Sequence, residues 1–369
     1  MKLIAATSNS TNDIKLQDAT WSFFATCCEE YASFRSFVTP LQTYGCLLAV
    51  SLLLISRNTT LLLSQKKVEL AALQAIVAHA NKDEFRLLIS TLVQELVAHE
   101  GPRKLGALRA LYILLGGNRK LNASRRSLLN EHKELIVQAL LQNFAAQALH
   151  IGALSSGSFD HAVSLRVWNL KVFVLVFSKA ELFTWKNHEL QHVFTGFQTI
   201  ISAVSCWQAG SKTYKPQELH ELWTLSYTLL LRIVRNHFGP LVNGISQLVQ
   251  ASNALLRMLV LTSAHSEYSQ FCSEWSSNLA RLYGYMKEHD VELRKHAVYL
   301  LMAFLVSVTR DRLAVRFQQK LRPGVFALLD VCSPYEKEQL FGALDSTGKS
   351  LLKTLDTNYK LTHRYVGKV

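Results

Sequence analysis

The 369-residue chain is poor in residues that break helices, with 6 prolines and 16 glycines. So few breakers exclude a collagen-like rod and a Pro/Gly-rich low-complexity chain. Charged residues make up only 18%, against 49% apolar, which excludes a disordered tail. Cysteine is sparse and irregular: Cys27, Cys28, Cys46, Cys206, Cys272 and Cys332 make no C-x-x-C pair and no repeating spacing. That argues against a disulfide framework and a zinc ribbon, and the thiols read as buried and free in a reducing compartment. Long apolar runs are missing as well. A spanning helix needs about 20 apolar residues, whereas the stretch 41–56 is interrupted by Gln42, Thr43 and Ser51, and 296–308 is too short. The mean hydropathy of +0.12 is therefore read as a large buried helical core and not as a membrane protein. Residues 1–13 are polar and show no signal-peptide pattern. Acidic residues are in short supply, 27 against 40 Lys and Arg, for a formal net charge of +13. Such an excess suits a polyanionic neighbour, of which nucleic acid is the commonest.

What is present is helical periodicity almost throughout. Phe85, Leu88, Ile89, Leu92 and Leu96 make one apolar face, and Leu241, Ile245, Leu248, Leu255 and Leu259 make another. Leu351, Leu352, Leu355 and Tyr359 make a third. No stretch alternates strictly, so strands are not expected. The pattern predicts an all-α fold of about a dozen or more helices joined by short breaks. Stacked antiparallel helices of this kind make an irregular α-solenoid, HEAT- or armadillo-like but without a clean fixed-period repeat. Residues 1–150 are read as an N-terminal helical segment, 151–160 as a linker and 160–369 as a C-terminal helical domain. Gly116-Gly117-Asn118 and Gly239-Pro240 stop helices, and Ser333-Pro334-Tyr335-Glu336 reads as a capping box with Pro at the first helical position. The tryptophans are expected in the core.

Three patterns bear on chemistry. His188-Glu189-Leu190-Gln191-His192 matches H-E-x-x-H, which on a helix sets two imidazoles one turn apart beside a general base, as in zinc peptidases. The longer metzincin pattern fails, because Gly196 is one place late and Gln198 stands near the third histidine's position. Glu218 and Glu221 are at permissible spacings for a third ligand, but so loose a condition discriminates little. The bland alternative is the polar face of an amphipathic helix, and no metal or cofactor is expected. Gly342 to Ser350 resembles a P-loop with one residue too many between its glycines, and a helix precedes it where a strand is required. It reads as a helix–helix turn capped by Asp345 or Ser346. The third pattern is a basic cluster: residues 101–133 hold Arg103, Lys104, Arg109, Arg119, Lys120, Arg125, Arg126 and Lys133 against Glu131 alone. Cations on a flexible segment can neutralise phosphate without reading sequence. A merely solubilising face is the alternative.

The last quarter carries a resemblance. After a leucine-rich helix at 296–301 comes Lys320-Leu321-Arg322-Pro323-Gly324-Val325-Phe326-Ala327-Leu328-Leu329-Asp330-Val331-Cys332-Ser333. Leu340, Ala343, Leu344 and Asp345 follow, then Leu355, Tyr359 and Lys360 and a basic end. By its residues alone, this segment starts a helix at Pro323, buries Val325, Leu328 and Leu329, and caps the next helix at Ser333. It resembles the C-terminal domain of the unhealthy-ribosome-biogenesis protein 2 family, also called the nucleolar pre-ribosomal-associated protein 2 family. The resemblance is sharpest over 321–360 and extends over about 160–369. It implies a non-enzymatic nucleolar scaffold in early large (60S) subunit assembly and pre-rRNA processing. Implied partners are a second large helical nucleolar protein, a DEAD-box helicase and pre-ribosomal RNA particles. A zinc-dependent peptidase at His188, Glu189 and His192 is the alternative from another class, and a HEAT-type transport adaptor without RNA contact is the third.

Overall fold

The computed structural model describes residues 14–34, 40–57, 73–78, 80–98, 103–116, 123–149, 156–207 and 215–363. These residues are all-α, with no strand among them. The chain divides into two compact units, Met1–Thr184 and Trp185–Val369.

The first unit holds α1 (Ile14–Glu29), α2 (Tyr31–Phe34), α3 (Pro40–Arg57), α4 (Lys82–Val97), α5 (Lys104–Leu114), α6 (Ala123–Leu149) and α7 (Ser156–Phe177). A further helical stretch covers 73–78. Among the labelled helices from α3 onward, each packs on the second one along: α3 on α5, α4 on α6 and α5 on α7. The predicted apolar face of α4 is confirmed, since Phe85, Leu88, Ile89, Leu92 and Leu96 are all buried. Its start is fixed by a reciprocal cap. Asn81 Oδ1 accepts the Glu84 backbone N–H at 2.9 Å, and Glu84 Oε2 accepts that of Asn81 at 2.8 Å. Tyr31 Oη donates to Glu84 Oε1 at 2.8 Å, so the buried carboxylate also ties α2 to α4. At the α3–α5 crossing Gly106 lies against the Leu52 backbone, where a Cβ would run into the Leu52 carbonyl. α5 ends at Gly116, which takes a left-handed φ of 91°.

The second unit holds α8 (Asn187–Trp207), α9 (Pro216–Asn236), the short α10 (Phe238–Leu241), α11 (Ile245–Ser263), α12 (Ser269–Lys287), α13 (Asp290–Thr309), α14 (Val315–Val331), α15 (Pro334–Ala343) and α16 (Ser346–His363). Here too alternate long helices meet: α8 on α11, α9 on α12, α11 on α13 and α12 on α14. The α12–α14 pair is the most intimate and runs parallel. Arg316 Nη2 donates to Ser269 Oγ at 2.8 Å at one end, and Lys287 Nζ reaches Asp330 Oδ2 at 2.6 Å at the other. Between them, a Cβ at Gly324 would stand 2.5 Å from Ala280 Cα. The absent side chain is what lets the two backbones approach. An aromatic stack fills the α9–α12 contact. The rings of Trp223 and Trp275 lie 5.1 Å apart, and Trp275 Nε1 donates to His220 Nδ1 at 3.1 Å.

Four sequence expectations are corrected. The helix containing Pro323 begins at Val315, with the proline inside it and exposed. Phe317, Leu321, Gly324, Val325, Leu328 and Leu329 form a continuous buried face on either side of it, and that burial outweighs the missing backbone hydrogen bond. Residues 156–160, assigned to the linker, are the opening of α7. Ser and Gly look like loop formers there, but a helix's first N–H groups need no partner along the helix, and Val163, Val167 and Leu170 bury the face that follows. Cys46 is exposed, while Cys28, Cys272 and Cys332 are buried free thiols. Trp168 is only half-buried, unlike Trp185, Trp223 and Trp275.

Candidate functional site

Four cations of the basic cluster are engaged or buried by surroundings that the sequence did not reveal. Arg103 Nη1 pairs with Glu95 Oε1 at 3.2 Å, and Arg126 Nη2 with Glu181 Oε1 at 2.8 Å. Neither acid lies within 101–133. Lys104 is buried at 7% exposure, and burial holds its pKa below the ordinary 10.5. Arg109 sits over the Trp168 ring at 5.2 Å, with Lys171 over the same ring at 4.7 Å and Tyr112 edge-on at 5.7 Å. Of the seven cations assigned to nucleic acid, then, Arg103 and Arg126 are in ion pairs, Lys104 is buried and Arg109 rests on an aromatic face. Arg119 and Lys120 lie outside the described residues, as does the Arg125 side chain. The sequence reading missed Trp168. Its spacing in α7 gave no sign that the ring faces Arg109.

The H-E-x-x-H segment opens α8. Its Glu189 Oε2 accepts the Lys186 backbone N–H at 2.7 Å, an N-terminal cap, while His188 and His192 are exposed. Glu218 is similarly occupied, accepting the Lys215 backbone N–H at 3.3 Å. Among the described residues no three His, Cys, Asp or Glu side chains are grouped to hold a metal ion. The P-loop-like segment is a helix–helix turn, with Asp345 Oδ1 accepting the Gly348 N–H at 2.7 Å. No helix among the described residues is long and apolar enough to cross a membrane.

The C-terminal motif, by contrast, is brought together. Leu321, Gly324, Leu328, Leu329 and Cys332 are buried along α14, while Arg322 and Pro323 face out. Asp330 is the junction. It takes the Lys287 ammonium from α12 on Oδ2 and the Tyr359 hydroxyl from α16 on Oδ1. The Tyr359 ring meets Phe326 edge-on at 5.7 Å and carries Lys337 Nζ at 5.4 Å. Burial and the Asp330 carboxylate push the Tyr359 phenol up to about 12. Ser333 caps α15: Glu336 Oε2 accepts its backbone N–H at 2.9 Å and also its hydroxyl. Burial drives the Cys332 thiol up to about 11, away from reactivity. A groove of about 340 Å³ runs beside this junction, lined by Leu329, Lys337, Phe341, Leu352 and Lys353 among others. The motif thus binds four helices to one another and exposes no reactive group.

The profile of the Urb2/Npa2 family matches residues 170–368. The chain belongs to the Urb2/Npa2 family. That span begins within α7 and includes the whole Leu321–Ser333 segment and Tyr359. The chain matches no curated protein and no solved structure. Urb2/Npa2 proteins form a nucleolar ribosome-biogenesis family not known as enzymatic. Membership places this chain in ribosome biogenesis and, at a general level, in the nucleus.

Proposed function

We propose that this protein is a non-enzymatic nucleolar scaffold in early large (60S) subunit assembly and pre-rRNA processing. The observation that carries the scaffold reading is the Asp330 junction, where the family's motif residues are spent on fastening α12, α14, α15 and α16 together. A motif of that kind preserves a shape, and shape is what a docking protein offers. The repeated packing of each helix on the second one along supports an α-solenoid, a fold that builds long partner surfaces. Its protein partners are a second large helical nucleolar scaffold and a DEAD-box helicase. Contact with rRNA phosphate falls to Arg119, Lys120, Arg125 and Arg126, with Arg103 as an exchangeable edge charge. Buried Lys104 and ring-bound Arg109 hold the fold instead.

The test is affinity purification of the tagged full chain, with identification of co-purifying proteins and RNA. Pre-60S assembly proteins and pre-rRNA are the expected yield, and recovery of neither refutes the reading. Crosslinking to RNA in cells separates it from a transport adaptor, which would give no RNA adduct. Reversing Arg119, Lys120, Arg125 and Arg126 weakens RNA retention and its salt dependence, while leaving protein docking in place.

A further inference from the structure

A second stretch of one-sided charge lies in the family-matched unit, and four of its five cations are not taken up. Residues 310–322, the turn after α13 and the first half of α14, carry Arg310, Arg312, Arg316, Lys320 and Arg322 against Asp311 alone. All five basic side chains are exposed. Arg316 is anchored at its root on Ser269 Oγ at 2.8 Å and on the Phe317 ring at 4.6 Å. Among the described residues, the other four make no ion pair and no side-chain hydrogen bond, in contrast to Arg103 and Arg126.

The backbone adds an independent sign. Arg312 has φ 55°, the one left-handed non-glycine residue among those described. It lies in the turn just past α13, where the Leu313 N–H reaches back to Ser307 O at 3.0 Å and Leu313 is buried at 2% exposure. Glycine suits that position best, because a Cβ is strained there. The arginine in this strained place is exposed and makes no ion pair or side-chain hydrogen bond among the described residues. Such outliers concentrate where a side chain is used.

We infer that the 310–314 turn and the first half of α14 form a contact surface for the RNA phosphodiester backbone, distinct from the 101–133 cluster. Four of its five cations are arginines, whose planar fork pairs two phosphate oxygens at once. Arg316 and Lys320 stand one helical turn apart on one side of α14, and Arg312 lies in the turn leading into it. The choice of RNA over other polyanions rests on the ribosome-biogenesis reading above.

The experiment is fluorescence anisotropy of the full chain with a labelled oligouridylate of about 20 nucleotides, over a potassium chloride series. Arg312→Gly removes one charge and relieves the left-handed strain, so binding weakens while Tm holds or rises. A general loss of folding would move both downward. Combining it with Arg310→Gln, Lys320→Gln and Arg322→Gln lowers the slope of log affinity against log salt by about three, at about 0.7 per single-strand phosphate contact. Unchanged affinity and slope in the fourfold variant overturn the inference. If RNA binding instead falls only on changing Arg119, Lys120, Arg125 and Arg126, this surface is refuted while the RNA-contacting scaffold stands. A wild-type chain that fails to bind RNA refutes both. Displacement by polyglutamate as effective as by RNA assigns the surface to an acidic protein and overturns the RNA claim.

Discussion

The α12–α14 crossing makes a quantitative prediction, because two glycines on the same helix pair stand in opposite surroundings. Alanine normally stabilises a helix interior relative to glycine by about 1 kcal/mol. At Gly284 in α12 nothing lies within 4 Å of an added Cβ, so Gly284→Ala delivers that gain. At Gly324 the new Cβ meets Ala280 Cα at 2.5 Å and Ala280 O at 2.7 Å, both backbone atoms of α12. A backbone cannot swing aside as a side chain does, so one helix must move bodily. Overpacking of this sort costs about 1–3 kcal/mol. Set against the propensity gain, Gly324→Ala is a net loss of up to about 2 kcal/mol, or a Tm decrease of up to about 8 °C. Gly284→Ala gives a rise of about 2–4 °C by the same conversion. Urea unfolding and thermal melts of the full chain, followed by circular dichroism, read both. Equal stabilisation by the two substitutions would refute the close approach as a determinant of the fold.

The Asp330 junction predicts a graded loss. Tyr359→Phe keeps the ring on Phe326 but removes the hydrogen bond, at about 1–2 kcal/mol, and Asp330→Ala costs more because Lys287 and Tyr359 both lose their acceptor. Two silent substitutions would dispose of that account. Alkylation of native protein at pH 8 labels exposed Cys46 well before Cys332, whose burial-raised pKa of about 11 leaves about a hundredfold less thiolate than an ordinary thiol near 9; mass spectrometry of the adducts decides. Because folded Cys332 ionises later than unfolded, unfolding releases a proton above the ordinary thiol value of 9.0, so its contribution to stability drains away as pH rises from there to about 11. Lys104 has the opposite sign. Its folded pKa lies below 10.5, so stability climbs with pH up to that value, and Lys104→Met removes the climb in a pH series of melts. Metal analysis of purified protein finds no stoichiometric zinc, and zinc lost on changing His188 or His192 would reverse the assignment of Glu189 as a helix cap.

Much of this was written in the sequence at short range. A face repeating every three to four residues, as in Phe85 to Leu96, needs no distant information to define a helix and its buried side. The starts at Ser333 and Asp345 were equally legible, since a cap is a bond across three residues. Family membership followed from a contiguous segment, Leu321 to Ser333, read as a string. Pro323 misled because a local rule about helix starts was overridden by burial spread along the whole of α14.

The fate of the charges was not local. Lys+Arg exceed Asp+Glu whatever the fold, so the +13 belongs to composition. Which cations are spent and which remain belongs to contacts between distant residues: Glu181 answers Arg126 across 55 positions, and Trp168 answers Arg109 from another helix. Coulomb attraction and ring contact act over ångströms of space and ignore separation along the chain. A window of sequence can count charge, but only the folded chain shows that Arg103, Lys104, Arg109 and Arg126 are engaged or buried while Arg310, Arg312, Lys320 and Arg322 are left open among the described residues.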